Sequence, residues 1–209
     1  HGCLVGSEMC IRDRFLTQHF LINVTSVFSE DIFNKLSHFM GTNPIVQFVL
    51  QPILIFGVIF HFVMGFYLEI LNAKSRKNNY SKFSGGSNSS WISRNMIFSG
   101  GVILVFLVIH FIDFWIPEMN YKYVEVLPED PNRYFEELVH KFESPLKTAI
   151  YSFSFIFLAL HLLHGFSSSF KTVGVDSKYY NLIQKGTFLF SVIIPAGFIF
   201  IAIFHNLTA

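Results

Sequence analysis

Apolar residues run through positions 15–28, 45–73, 91–116, 145–170 and 186–205, and polar segments separate them. Crossing a ~30 Å hydrocarbon core takes about 20 helical residues, so the last four runs predict membrane-spanning helices. The first run, Phe15 to Phe28, reaches only about 21 Å at helical rise. It predicts half a span, or a span completed by preceding residues. Ser29 to Met40 reads differently. Ser29 suits a helix N-cap, and Glu30 and Asp31 fall in the first turn, where carboxylates favour the helix dipole. Ile32, Phe33, Leu36, Phe39 and Met40 share a face, which predicts a short amphipathic helix lying at the membrane interface. Gly41 to Pro44 ends it. The fold class expected is an all-α membrane protein: a five-helix transmembrane bundle with a truncated first helix and one interfacial helix.

The polar segments set orientation. Residues 74–90 are rich in Ser, Asn and Gly, 117–144 form an acidic loop with three prolines, and 171–185 are short. Trp91 and Trp115 mark the ends of the third span, where amphipathic rings favour the interface. Lys74, Arg76, Lys77, Lys82, Arg94, Lys171, Lys178 and Lys185 lie on one side if spans alternate, and Lys35, Lys122, Arg133, Lys141 and Lys147 on the other. Basic residues gather on the cytoplasmic side. The 74–94 and 171–185 loops are therefore expected in the cytoplasm, with the true N-terminus cytoplasmic and the C-terminus outside.

Composition agrees with the pattern. Of 209 residues, 52% are hydrophobic and 14% charged, against about 25% charged in soluble domains. That excludes a disordered chain. A net charge of +1 offers no basic footprint for nucleic acid. The two cysteines, Cys3 and Cys10, are too few for a disulfide framework. Both fall in residues 1–14, where VGSEMCIRDR resembles a translated sequencing-adapter fragment. Residues 1–14 are expected to be artefact or disordered, and 15–209 a single membrane domain.

Histidines carry the chemistry. Five of nine lie inside apolar runs: His19, His61, His110, His161 and His164. Ionisable residues at membrane depth are rare and mostly functional. A single buried imidazole is most often a hydrogen-bonded packing residue, but four separate helices each carry one here. Depth sorts them. By helix rise, His19 lies ~15 Å and His110 about 10 Å from the outer ends of their spans, and His61 about 20 Å and His161 about 15 Å from the inner ends. The first and third spans thus share an outer pair and the second and fourth an inner pair. Two imidazoles from facing helices form a bis-His site for haem iron, so two stacked haems are expected. Zinc wants three or four convergent ligands, and no His/Cys/Met set suggests copper. Gly65 and Gly165 follow His61 and His161 by four residues, on the same helix face. They remove bulk where a macrocycle must approach, or simply let helices pack. No nucleotide-binding or serine-nucleophile motif is present.

These residues resemble the cytochrome b membrane-anchor subunit of succinate dehydrogenase or fumarate reductase, in its single-chain, five-helix, two-haem type. The likeness extends from Phe15 to the C-terminus. It rests on HFLIN at 19–23, FNKLSHFMGTNP at 33–44, His61 followed by FVMGFY, SSWISRNM at 89–96, His110-Phe111, and LHLLHGFSSSF at 160–170. The HFMGTNP and SSWISRNM segments are similar to the version in Bacteroidetes-like bacteria. The resemblance implies axial haem ligands His61 with His161 near the hydrophilic subunits and His19 with His110 at the distal haem. His164 competes with His161, but the ligand of the HxxxG pattern is its first His. His164 is then a propionate or quinone-side contact. Arg94 and Ser93 suit a haem propionate, Arg94 bidentately; the alternative for Arg94 is a positive-inside anchor. His38 is structural or near quinone, His140 a solvent-loop residue and His205 an interface residue.

The resemblance further implies two haem b, a quinone substrate (menaquinone in this type), and flavoprotein and iron-sulfur partners docked on the cytoplasmic face of the bacterial inner membrane. As part of an enzyme, succinate dehydrogenase or fumarate reductase (quinone) in the respiratory chain and tricarboxylic acid cycle, this subunit performs electron transport and no dicarboxylate chemistry. Gln47 and Gln51, at the outer end of the second span, are either quinone contacts or capping and packing residues. The alternatives are a cytochrome b subunit of a hydrogenase or formate dehydrogenase, and a transporter whose midplane histidines relay protons.

Overall fold

The computed structural model describes residues 2–75, 96–173 and 177–209, with side chains described for 13–74, 96–166 and 181–209. The described residues are helical and contain no strand. In chain order the elements are α1 (Gly2–Thr25), α2 (Glu30–Thr42), α3 (Gln51–Ser75), α4 (Met96–His110), α5 (Ile116–Met119), α6 (Arg133–Phe142), α7 (Pro145–Val173) and α8 (Ser177–Thr208). Wider π turns lead into α3 (Val46–Leu50), join α4 to α5 (Phe111–Trp115) and extend α5 (Asn120–Val124).

Among the described residues, four helical stretches are long and apolar enough to cross a membrane: Val46–Lys74, Met96–Val124, Pro145–Phe166 and Asn181–Thr208. The shortest has 22 residues, about 33 Å by helix rise, enough for the hydrocarbon core. α1 is not one of the four. The α3 stretch has no buried residue in the bundle, and Phe48, Phe56, Ile59 and Val63 are each more than half exposed. A water-soluble monomer does not present apolar surface of that extent; a bilayer covers it without cost.

The core lies where α4, α7, α8 and α1 meet. Phe106, Tyr151, Phe155, Ile194, Phe198, Ile201 and Ala202 are buried there. Phe155 stacks on Phe198 at 5.2 Å between ring centroids, and Phe106 meets Tyr151 edge-on at 5.2 Å. Small residues permit the closest helix approach. A Cβ at Gly197 of α8 would run into the ring of Phe20 on α1.

One end of the bundle is capped by α2 and α6. Ser29 Oγ accepts the Ile32 N–H at 3.3 Å, as expected of an N-cap. Of the expected apolar face, Phe33 is buried against the bundle, and Ile32, Leu36 and Phe39 are exposed. The segment expected as an acidic loop, 117–144, is largely helical. Its residues Phe135, Leu138 and Phe142 recur at helical spacing, and the last two are buried. Buried Asn34 of α2 starts the pairing, its Oδ1 accepting the Phe135 N–H at 2.8 Å.

Glu118 gathers the cap. It accepts from Arg133, from Lys122 at 2.5 Å and from the Tyr134 hydroxyl at 3.4 Å. Arg133 lies between the rings of Tyr121 and Tyr134, at 4.1 and 4.5 Å. Lys122 also donates to the Gly41 carbonyl. Burial, with Glu118 adding to it, pushes the Tyr134 phenol up to about 12.

Candidate functional site

Four of the five histidines in the apolar runs meet in twos. His19 of α1 faces His110 of α4 with ring centroids 5.8 Å apart and planes at 84°. His61 of α3 faces His161 of α7 at 6.1 Å and 90°. These are the partners that depth along the sequence assigns. The first pair lies toward the capped end, the second deeper. Ser99 of α4 touches His161, and eleven residues separate it from His110; that is about 16 Å along the helix. On α7, Tyr151 packs on His110, and ten residues on to His161 make about 15 Å. Two independent helices thus give one spacing between the levels.

The separations would suit a metal ion held between the imidazoles of each pair. A metal–imidazole bond is about 2 Å and a ring centroid lies roughly 1 Å behind its nitrogen, so two imidazoles sharing one ion would stand about 6 Å apart. Planes near perpendicular are compatible with that arrangement. Among the described residues no three or more His, Cys, Asp or Glu side chains converge, so each level offers an opposed pair rather than a tetrahedral set.

His161 Nδ1 is 3.1 Å from Ser99 Oγ, which itself donates to the Met96 carbonyl at 2.9 Å. With its proton so used, the Ser99 oxygen faces Nδ1 as an acceptor, which would favour ligation through Nε2. Gly100 opposes the same ring, where a Cβ would lie 3.6 Å from His161 Cε1. At Gly65, four residues after His61, a Cβ would meet nothing within 4 Å. At Gly165 it would meet Met96 Cε at 3.8 Å. At the other level His110 Nδ1 is buried with no hydrogen-bond partner, a cost ordinarily avoided. Asn23 Nδ2 lies 3.5 Å from His19 Nδ1 and donates to the His19 carbonyl at 2.8 Å. The facing imidazoles at both levels, the open positions beside His61 and His161, and the unpartnered Nδ1 of His110 would fit a bis-imidazole-ligated group.

The remaining sequence expectations divide. His164 is half-buried on α7, three residues beyond His161. Arg94 and Ser93 lie outside the described residues. His140 is exposed beside Glu143 at 3.1 Å. His205, expected at the interface, is instead 1% exposed. It is enclosed by Phe135 and Phe204, with Nε2 2.8 Å from Ser26 Oγ, because α6 folds over that end of α8. Gln47 and Gln51 border a small cavity with Pro52, Trp115 and Tyr123, where Tyr123 donates to Gln47 Oε1 at 3.1 Å.

Sequence reading missed two groups. Ser99 precedes two glycines in an apolar run, and the Ser-Gly-Gly step was its only signal. Asp113 is an acid inside the third apolar run, three residues after His110; it is 6% exposed and bound to Lys147 and Tyr151 of α7. Compared with family models, curated proteins and solved structures, the chain matches none of them.

Proposed function

We propose that this chain is the haem b-bearing membrane anchor of a succinate:quinone oxidoreductase, with α1 as the first of five spans. The observation that carries the reading is the pair of cross-helix imidazole contacts, 5.8 and 6.1 Å between centroids, on two levels of one bundle. Haem bound at these levels supplies one-electron carriers between an iron-sulfur partner subunit on the cytoplasmic side and a membrane quinone, menaquinone in the type resembled. His61 and His161 hold the inner group, and His19 and His110 the outer one. Ser99 keeps the His161 tautomer, and the glycines leave clearance for the macrocycle. Arg94, Ser93 and His164 are assigned to propionate or quinone contacts by resemblance alone. The motifs quoted above support the choice of succinate dehydrogenase or fumarate reductase over other bis-His cytochromes. They also support a bacterial inner membrane, and the excess of basic residues at 74–94 and 171–185 supports an inward N-terminus with α2 at the outer interface.

The test is optical. Reduced-minus-oxidised spectra of the purified complex should show b-type haem at two per chain, reducible by succinate. Replacing His61 or His161 by Ala should remove one haem and leave the other. A haem-free chain would overturn the reading, and a two-haem complex that succinate cannot reduce would favour a hydrogenase or formate dehydrogenase subunit.

A further inference from the structure

A carboxylate at membrane depth is expensive to keep charged, and Asp113 is 6% exposed. Two α7 side chains hold it. Lys147 binds Oδ1, and the Tyr151 hydroxyl donates to Oδ2 at 2.9 Å. Tyr151 is also a wall of the outer pair, its ring 6.2 Å from that of His110. The π turn Phe111–Trp115 starts directly after His110 and carries Asp113. Such turns re-aim side chains and recur at functional sites. A plain staple between α4 and α7 would need no acid at this point, since Phe106, Phe142 and Phe155 already pack Tyr151.

We propose that Asp113 is a positioning residue that sets the reduction potential of the outer-level haem, through the field of its carboxylate and through the Tyr151 ring it anchors beside His110. This rests on the function proposed above. A nearby negative charge favours the ferric over the ferrous state. Lys147 offsets part of the field, so removing either partner of the pair exposes the charge of the other.

The experiment is a redox titration of both haems by optical spectroscopy in the purified complex. Asp113→Asn should raise the outer haem's midpoint by about a tenfold change in its reduction equilibrium, ~59 mV for one electron. The inner haem should not move. Asp113→Glu, which keeps the charge, should return the outer midpoint to within about twofold of wild type in the same measure. If the Asn chain does not accumulate, Tyr151→Phe reads the same field with opposite sign. It removes one donor from the carboxylate, and the outer midpoint should fall. An unmoved outer midpoint in the recovered variants, or a Glu variant displaced as far as the Asn variant, would overturn the inference while two haems remained. Absence of haem from the wild-type complex would overturn both this inference and the reading beneath it.

Discussion

At the scale of single residues, the proposed chemistry depends on which nitrogen of each imidazole carries the proton. Ser99 decides this for His161, because its own proton is committed to the Met96 carbonyl and its oxygen faces Nδ1. Orienting partners of this kind are worth about 10–100-fold in metal affinity. Under the proposed function, Ser99→Ala should therefore weaken retention of the inner haem by about tenfold or more and spare the outer one, as read by haem content after graded detergent washing. The four ligand candidates were legible in the sequence because a His in an apolar run stands out against its neighbours. Ser99 and Asp113 were less legible, since a lone polar residue does not reveal its partner on another helix.

At the scale of elements, packing is decided where helices touch. α1 meets α8 at Gly197, and the Phe20 ring occupies the space a side chain would need, with Cδ2 3.4 Å from the Cβ position and two further ring atoms closer. Phe20 lies next to His19, whose ring is itself 5.7 Å from that of Phe198. Gly197→Ala should thus cost about 1–3 kcal/mol by overpacking. It should lower the thermal midpoint in detergent and loosen the outer imidazole pair before the inner one. Hydropathy located α3, α4, α7 and α8 well, because a span is a local property of some twenty residues. It misread α6 as loop. That helix is short and charged, and its apolar stripe becomes meaningful only with α2 and α8 to cover it.

At the scale of the whole molecule, one end is closed by a cap in which α2, α5 and α6 share the Glu118 cluster. The Tyr134 phenol there has its pKa raised from about 10 in an unfolded chain to about 12. The folded form therefore holds this proton more tightly. The contribution is complete below pH 10 and is lost as pH rises through 12. Tyr134→Phe should flatten that part of the stability profile, measured as thermal midpoint against pH from 9 to 12. An unchanged slope would show that the phenol does not govern it.

The helices long and apolar enough to cross a membrane, the His on three of them and on α1, and the position of each along its helix follow from the sequence alone. Helix rise converts position into depth without reference to any neighbour. Which side chains meet across the bundle was decided by tertiary structure: the Ser99–His161 contact, the Asp113–Lys147–Tyr151 group, the enclosure of His205 and the folding of α6 onto α2. Each depends on how helices are rotated about their axes and set against one another. Residues far apart in the chain settle that jointly, and no local window contains the information.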